Sequence, residues 1–242
     1  MPIRRIGAVI LHARQYRERS VIAELLTEDD ERIGCVLHGG GRARGSHHQP
    51  FTELSLMLRG RGDLYTGQGV ESGARYGLTG RALVSGLYLN ELVLRLVPRA
   101  CPVAELYGAY REALHRLASG PLESTLRCFE LELLEGLGYG LVLDEQADEG
   151  GPIDPDGRYR YDPEAGPRRV TEPSDQCRDC ISGRVLYALR DRRLDDPSCL
   201  REAKILMARV LQHHLGGRVL ATREMMRAYG ELKRGGDLSG HA

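Results

Sequence analysis

The chain has 242 residues, 41% apolar and 28% charged, and 34 Lys and Arg balance 34 Asp and Glu so that the net charge is zero. That length makes one large domain or two small ones, with room for a core that needs neither disulfides nor metals. Zero net charge excludes a uniformly basic nucleic-acid magnet but not a local basic surface. No run approaches about 18 apolar residues and no signal-peptide pattern opens the chain, so a cytoplasmic protein without a membrane span is expected.

The first 75 residues read as strands. Short apolar, β-prone runs occur at Ile6–His12, Val21–Leu26, Ile33–His38, Leu54–Leu58 and Asp63–Gly67, separated by the polar or glycine-rich turns 28–32, 39–50 and 60–62. Five short strands in that space predict a small closed barrel, of which the OB-fold is the five-stranded case. The period then becomes helical. Thr79 can cap a helix to about Val97, with Leu83, Leu87, Leu94 and Val97 on one face. Pro102 sits at a first-turn position for a second helix to about Ala118, and Pro121 opens a third, whose apolar positions are Leu126, Phe129, Leu133, Leu134 and Leu137. Residues 144–178 are polar and rich in Pro, Gly and Asp, and read as a loop-rich insertion. Helical pattern resumes near Ser182, a long helix covers Leu200–Leu215, and Thr222 can cap a short last one to about Tyr229.

The fold class is therefore α+β: a five-stranded OB-like barrel over residues 1–78, then an all-helical domain over 79–242 that carries an irregular insertion at 144–181. Charge follows this division, with net +2 in residues 1–80, −3 in each of 81–145 and 146–199, and +4 in 200–242. Lysine occurs only at Lys204 and Lys233, so Arg supplies 32 of the 34 positive charges. GC-rich coding accounts for that, although a guanidinium is also the better bidentate phosphate clamp. Trp is absent and Phe occurs only at Phe51 and Phe129, so any base stacking falls to Tyr, His or Arg faces.

The most distinctive stretch is the loop His38–Gln49, glycine-rich with Arg42 and Arg44 and no acid near them. Glycines allow close backbone approach to a phosphate and the two arginines can neutralise it, but a solvated hairpin loop fits the residues equally well. It is neither a Walker loop nor a dinucleotide fingerprint. The pairs His47–His48 and His213–His214 are poor bidentate metal sites, because adjacent side chains point to different faces. Cys177 and Cys180 have zinc spacing, yet a structural zinc wants four ligands and no second pair exists. No cofactor is expected. No nucleophile elbow or ordered carboxylate pair appears, which favours a binding protein over an enzyme.

Several stretches together resemble the RecO family of bacterial recombination mediators. The opening Ala8–Arg14 with Tyr16–Ser20 is similar to that family's first strand and turn, and His38–Thr52 to its basic hairpin. Gly86–Leu92 is similar to the first helix of its helical domain, Leu126–Gly140 is the most specific match, and Leu215–Arg218 with Arg223 resembles its C-terminal element. One departure stands out: some members carry four zinc-binding cysteines, and here Leu141–Gly151 contains none, so a metal-free, degenerate loop is expected around Cys177 and Cys180.

The resemblance implies an N-terminal OB-fold and a helical C-terminal domain, binding of single- and double-stranded DNA, annealing of complementary strands, binding of the acidic tail of single-stranded DNA-binding protein (SSB), and work with RecR to load RecA. It implies no enzymatic turnover and a nucleoid-associated place in the cytoplasm. Phosphate contacts are then expected from Arg14, Arg17 and Arg19 near the first turn and from Arg42, Arg44, Arg59 and Arg61 in or beside later loops, with little sequence preference. An SSB-tail receptor should pair an Arg with an apolar pocket; Arg127 with Leu131 and Leu134, and then Arg218 and Arg223, are the candidates. The alternatives are an OB-fold RNA-binding module, a protein adaptor without nucleic acid, and an enzyme using Asp154 or Asp156.

Overall fold

The computed structural model describes residues 3–18, 20–38, 48–60, 64–148, 150–171 and 179–236, with the backbone alone over 230–236. They form two compact units, one of residues 1–120 with 220–242 and one of residues 121–219.

The first unit is built on a closed barrel of β1 (Ile3–Tyr16), β2 (Ser20–Thr27), β3 (Arg32–His38), β4 (Thr52–Arg59) and β5 (Leu64–Arg75), in the order β1-β2-β3-β5-β4. Every pair is antiparallel except β3 with β5, whose parallel register sets Cys35 beside Tyr65 and Leu37 beside Gly67. Alternation decides the faces. Ala23 and Leu25 of β2, Cys35 and Leu37 of β3, and Leu56 and Leu58 of β4 point inward and are buried. Gly67 lies where these side chains converge: a Cβ there would stand 2.7 Å from Leu37 Cδ2 and 2.9 Å from Leu56 Cδ1.

Helices α1 (Gly80–Leu96), α2 (Leu106–Ser119) and α6 (Ala221–Gly236) belong to the same unit. The β1 register slips between Ile10 and His12, a bulge that bends the strand. Val9 and Leu11 lie outside the barrel interior and are nevertheless buried, because α1 lies on that side of β1. Asn90 Nδ2 of α1 donates to the Leu11 carbonyl at 2.6 Å, and the Tyr110 hydroxyl of α2 donates to Asn90 Oδ1.

The β2–β3 hairpin grips the ends of two helices. The Asp30 carboxylate accepts from the Glu105 amide at 3.1 Å and the Tyr107 amide at 2.8 Å, which caps α2 from outside its own sequence. Arg32 Nη1 donates to the Leu94 carbonyl at 2.8 Å and the Val97 carbonyl at 2.7 Å, closing the C-terminus of α1. Pro102 does not open the second helix, as the sequence pattern predicts; it bridges to Glu31 of the hairpin, and the helix starts at Leu106 where Asp30 fixes the first turn. Thr222 likewise is not the cap of α6. The Glu91 carboxylate of α1 takes that place, accepting from the Ala221 amide at 3.0 Å, the Thr222 amide at 2.9 Å and the Thr222 hydroxyl at 2.7 Å.

The second unit starts with α3 (Leu122–Gly136), in which Ser124 through Leu131 are all buried, so the helix is enclosed around most of its circumference. The 144–181 segment is not loop alone. It holds a three-stranded antiparallel sheet of β6 (Arg158–Asp162), β7 (Gly166–Arg169) and β8 (Cys180–Ser182), ordered β7-β6-β8. Arg158, Tyr159, Arg160 and Tyr161 alternate outward and inward, and both tyrosines are buried. The Tyr159 hydroxyl accepts from the Asp154 amide at 2.8 Å. Helices α4 (Gly183–Arg190) and α5 (Pro197–His214) complete the unit. The α5 helix begins three residues before Leu200 because Asp196 caps it, accepting from the Cys199 amide at 3.0 Å. The Ser198 hydroxyl, followed by that amide, holds the Asp196 carboxyl down at about 2.

Candidate nucleic-acid interface

Inward alternation leaves the other parity of each strand on the outer surface, and directly paired residues share a face. The register then builds a belt. Arg14 of β1 pairs with Ile22 of β2, Ile22 with Val36 of β3, Val36 with Thr66 of β5, and Thr66 with Arg59 of β4. Ile22, Val36 and Thr66 are half-buried, while Arg14 and Arg59 at the two ends are exposed. A shallow, partly apolar strip flanked by guanidinium groups is what a strand with a charged backbone and flat bases needs.

Barrel arginines divide by what they touch. Arg5 is spent on Glu71 at 2.7 Å, Arg4 on Asp29 and Glu31, and Arg32 on Glu24 at 3.0 Å. Glu24 also accepts from Arg99. Burial alone would raise the Glu24 carboxyl, but the hydrogen bonds from Arg99 and Arg32 outweigh it and hold the group below 4.5. By contrast Arg14, Arg17 and Arg59 are exposed and have no ion-pair partner among the described residues. Arg17 occupies the left-handed region at φ 55, with its guanidinium 5.1 Å from the centre of the Tyr16 ring. Gln15 Nε2 fastens this turn by donating to the Arg17 carbonyl at 2.7 Å and the Ser20 carbonyl at 3.3 Å. Arg19, Arg42, Arg44 and Arg61 lie outside the described residues. Arg75 is exposed too, but it pairs in register with Thr52 at the opposite end of β4 from Arg59 and so lies away from the belt.

Two family models match the chain: Recombination protein O N terminal over residues 1–74 and Recombination protein O C terminal over residues 78–223. The chain is 44% identical over 226 residues to the DNA repair protein RecO of Methylococcus capsulatus, covering 91% of this chain and 92% of the relative. It is 42% identical over 224 residues to that of Stenotrophomonas maltophilia (90% and 93%) and 40% identical over 224 residues to that of Coxiella burnetii (90% and 96%). The chain belongs to the RecO family.

Family membership makes the chain a DNA repair and recombination protein of the mediator type. The family models part between residues 74 and 78, at the end of the barrel, whereas α1, α2 and α6 pack with the barrel into one compact unit. No helix among the described residues is long and apolar enough to cross a membrane.

The residues considered for the SSB tail are dispersed. Arg127 is 4% exposed, and its Nε donates to Glu130 Oε2 at 2.7 Å inside the second unit. Leu131 and Leu134 are wholly buried core residues of the same helix, so the three differ from the surface pocket that the spacing suggests. The reason is the near-complete enclosure of α3, in which Arg127 is stabilised by a partner three residues on rather than by solvent. Arg218 is exposed beside Val219, itself 67% exposed, and Arg223 is half-buried in the other compact unit.

Cys180 is buried and disulfide-bonded, and Cys177 lies outside the described residues. Among the described residues no group of three or more His, Cys, Asp or Glu is placed to hold a metal ion. A cavity of about 340 Å³ in the second unit is lined by Asp156, Arg184, Asp196, Cys199 and Glu202 among others. Its carboxylates are engaged: Asp156 by Arg184, Asp196 as the α5 cap, and Glu202 by the Ser182 amide at 2.7 Å. Asp154 is paired with Arg169 at 2.8 Å.

Proposed function

We propose that this member of the RecO family binds single- and double-stranded DNA along the outer face of its barrel, without turnover, and promotes pairing of complementary strands. The observation that carries the reading is the belt from Arg14 to Arg59, whose cations have no carboxylate partner among the described residues while neighbouring arginines do. Arg17, on the turn that follows, is a further candidate contact, and Arg19, Arg42, Arg44 and Arg61 are candidates from the sequence alone. Cations of this kind neutralise phosphates on two strands and lower the repulsion that opposes annealing.

The SSB tail, acidic with an apolar end, docks on the helical part of the chain in this reading. Arg218 with exposed Val219 supports it best, offering a cation beside an apolar side chain. Arg223, in the other compact unit, is a separate candidate, and Arg127 with Leu131 and Leu134 would require α3 to open. RecR joins on the DNA-bound protein and RecA loads afterwards. The reading requires no metal or other cofactor and places the protein with the nucleoid.

Fluorescence anisotropy of a labelled single strand, bare and SSB-coated, tests it across salt concentrations. Binding to bare DNA should fall steeply with salt. Binding to coated DNA should persist only with the SSB tail intact. Equal or tighter binding to a matched RNA strand would favour an RNA-binding module, and no binding to any bare strand at low salt would leave an adaptor.

A further inference from the structure

The register that builds the belt also builds a row at its rim. Tyr16 pairs directly with Ser20, and Ser20 with His38. The Ser20 hydroxyl lies 3.0 Å from His38 Nδ1, so those two side chains share the outer surface. Tyr16 stands two residues after Arg14 on β1 and therefore on the same face. Tyr16 is 37% exposed, the one exposed Phe, Trp or Tyr among the described residues of the barrel strands, and the imidazoles of His12 and His38 are exposed as well. Ser20 between Tyr16 and His38 is only 7% exposed, and the His38 ring lies against its hydroxyl, so the two rings, not the serine, form this part of the surface. Their backbone positions are two interstrand spacings apart, about 10 Å. That is roughly three steps of the 3.4 Å rise of a stacked strand, so one short stretch of strand can reach both rings.

The surroundings suit a nucleic-acid strand. Arg14 lies beside the row in the belt, and the Arg17 guanidinium sits over the Tyr16 ring. Gln15 ties the turn backbone on both sides of Glu18, which fixes where the Tyr16 ring is presented. A duplex offers this surface only its phosphates, whereas an unpaired strand offers phosphates and bare base faces.

We propose that Tyr16 and His38 form a stacking step for two consecutive unpaired nucleobases, which makes the barrel prefer a single strand to a duplex. This rests on the reading of the belt as the strand-binding surface. Each ring contributes to single-strand binding alone, while Arg14 and Arg59 contribute to both forms.

The test uses the full chain, a labelled oligothymidine and a duplex of equal length, read by anisotropy at fixed salt. Tyr16→Ala and His38→Ala should each weaken single-strand binding roughly 5- to 100-fold and leave duplex binding within about twofold. Tyr16→Phe should bind like the parent and Tyr16→Leu like Tyr16→Ala, because Leu keeps the apolar volume and loses only the ring. A strand carrying adjacent 2-aminopurines should change its fluorescence on binding the parent and not on binding Tyr16→Leu. If Tyr16→Leu and Tyr16→Phe bind alike, or the single-strand preference survives loss of both rings while Arg14→Ala with Arg59→Ala weakens both forms, the stacking step is overturned and the belt stands. If the arginine variant also changes nothing, both fall.

Discussion

Replacing Asp30 by Ala tests whether the barrel hairpin holds the helices as the hydrogen bonds indicate. Asp30 caps α2 through the Glu105 and Tyr107 amides at 3.1 and 2.8 Å, and its own backbone lies in the left-handed region at φ 61. Losing an N-terminal cap costs about 0.5–2 kcal/mol. Holding Ala in the left-handed region costs about 1–2 kcal/mol more. Asp30→Ala should therefore destabilise the first unit by about 1.5–4 kcal/mol and lower its melting temperature by roughly 5–15 °C. Asp30→Gly removes the same cap without the backbone penalty and should cost about 1 kcal/mol. Thermal melts followed by circular dichroism give the two shifts. Hydrogen exchange at Glu105 and Tyr107 locates them, since those amides lose their acceptor in both variants. Asp30→Ala melting with the parent would refute the cap, and Asp30→Gly as damaging as Asp30→Ala would refute the division between cap and backbone.

Further outcomes follow from the same geometry. Tyr159→Ala empties a fully buried site and should cost the second unit about 3–5 kcal/mol by urea unfolding, with Tyr159→Phe losing only the bond to the Asp154 amide, about 1 kcal/mol. The folded Glu24 carboxyl titrates below 4.5, so its contribution is complete above that value and is lost as pH falls through the folded pKa. Glu24→Gln should flatten the acid side of the stability profile below about pH 4.5 and leave the profile between pH 8 and 9 parallel to the parent's; an unchanged acid limb would contradict the pairing with Arg99 and Arg32. A chelator present throughout should leave single-strand affinity unchanged, and a loss reversed by added zinc would assign a metal to the Cys177–Cys180 region.

Much of the architecture is legible in the residues, because burial follows period. The inward positions of β2 and β4 read directly from alternation, and α1 and α3 start where Thr79 and Pro121 place them. Long-range partners are not local in sequence, and the differences arise there. Pro102 has first-turn chemistry, but a barrel carboxylate decides where α2 begins. Thr222 has cap chemistry, but Glu91 outcompetes it, one carboxylate oxygen accepting from the Ala221 amide and the other from the Thr222 amide and hydroxyl. The alternation of Arg158 through Tyr161 is a strand signal hidden by the Pro, Gly and Asp around it.

The candidate site is legible in part for the same reason. Arg14, Arg17 and Arg59 can be proposed from their places beside turns. Their membership of one surface depends on the parallel β3–β5 pairing, which no local pattern encodes. Arg5 and Arg14 look alike in sequence, and only the fold supplies Glu71 to the first. Arg127 is the opposite case: beside an apolar stripe it reads as a pocket rim, and Glu123 four residues before it and Glu130 three residues after are the local signs of its pairing.

Phosphate contact by the Arg14–Arg59 belt is tested most directly by the salt dependence of single-strand affinity. Each phosphate neutralised on a single strand contributes about −0.7 to the slope of log affinity against log salt. Arg14→Ala with Arg59→Ala, at unchanged melting temperature, should weaken binding at low salt and flatten that slope by about 1.4. A variant with the parent's slope and affinity would show that the belt does not touch the strand.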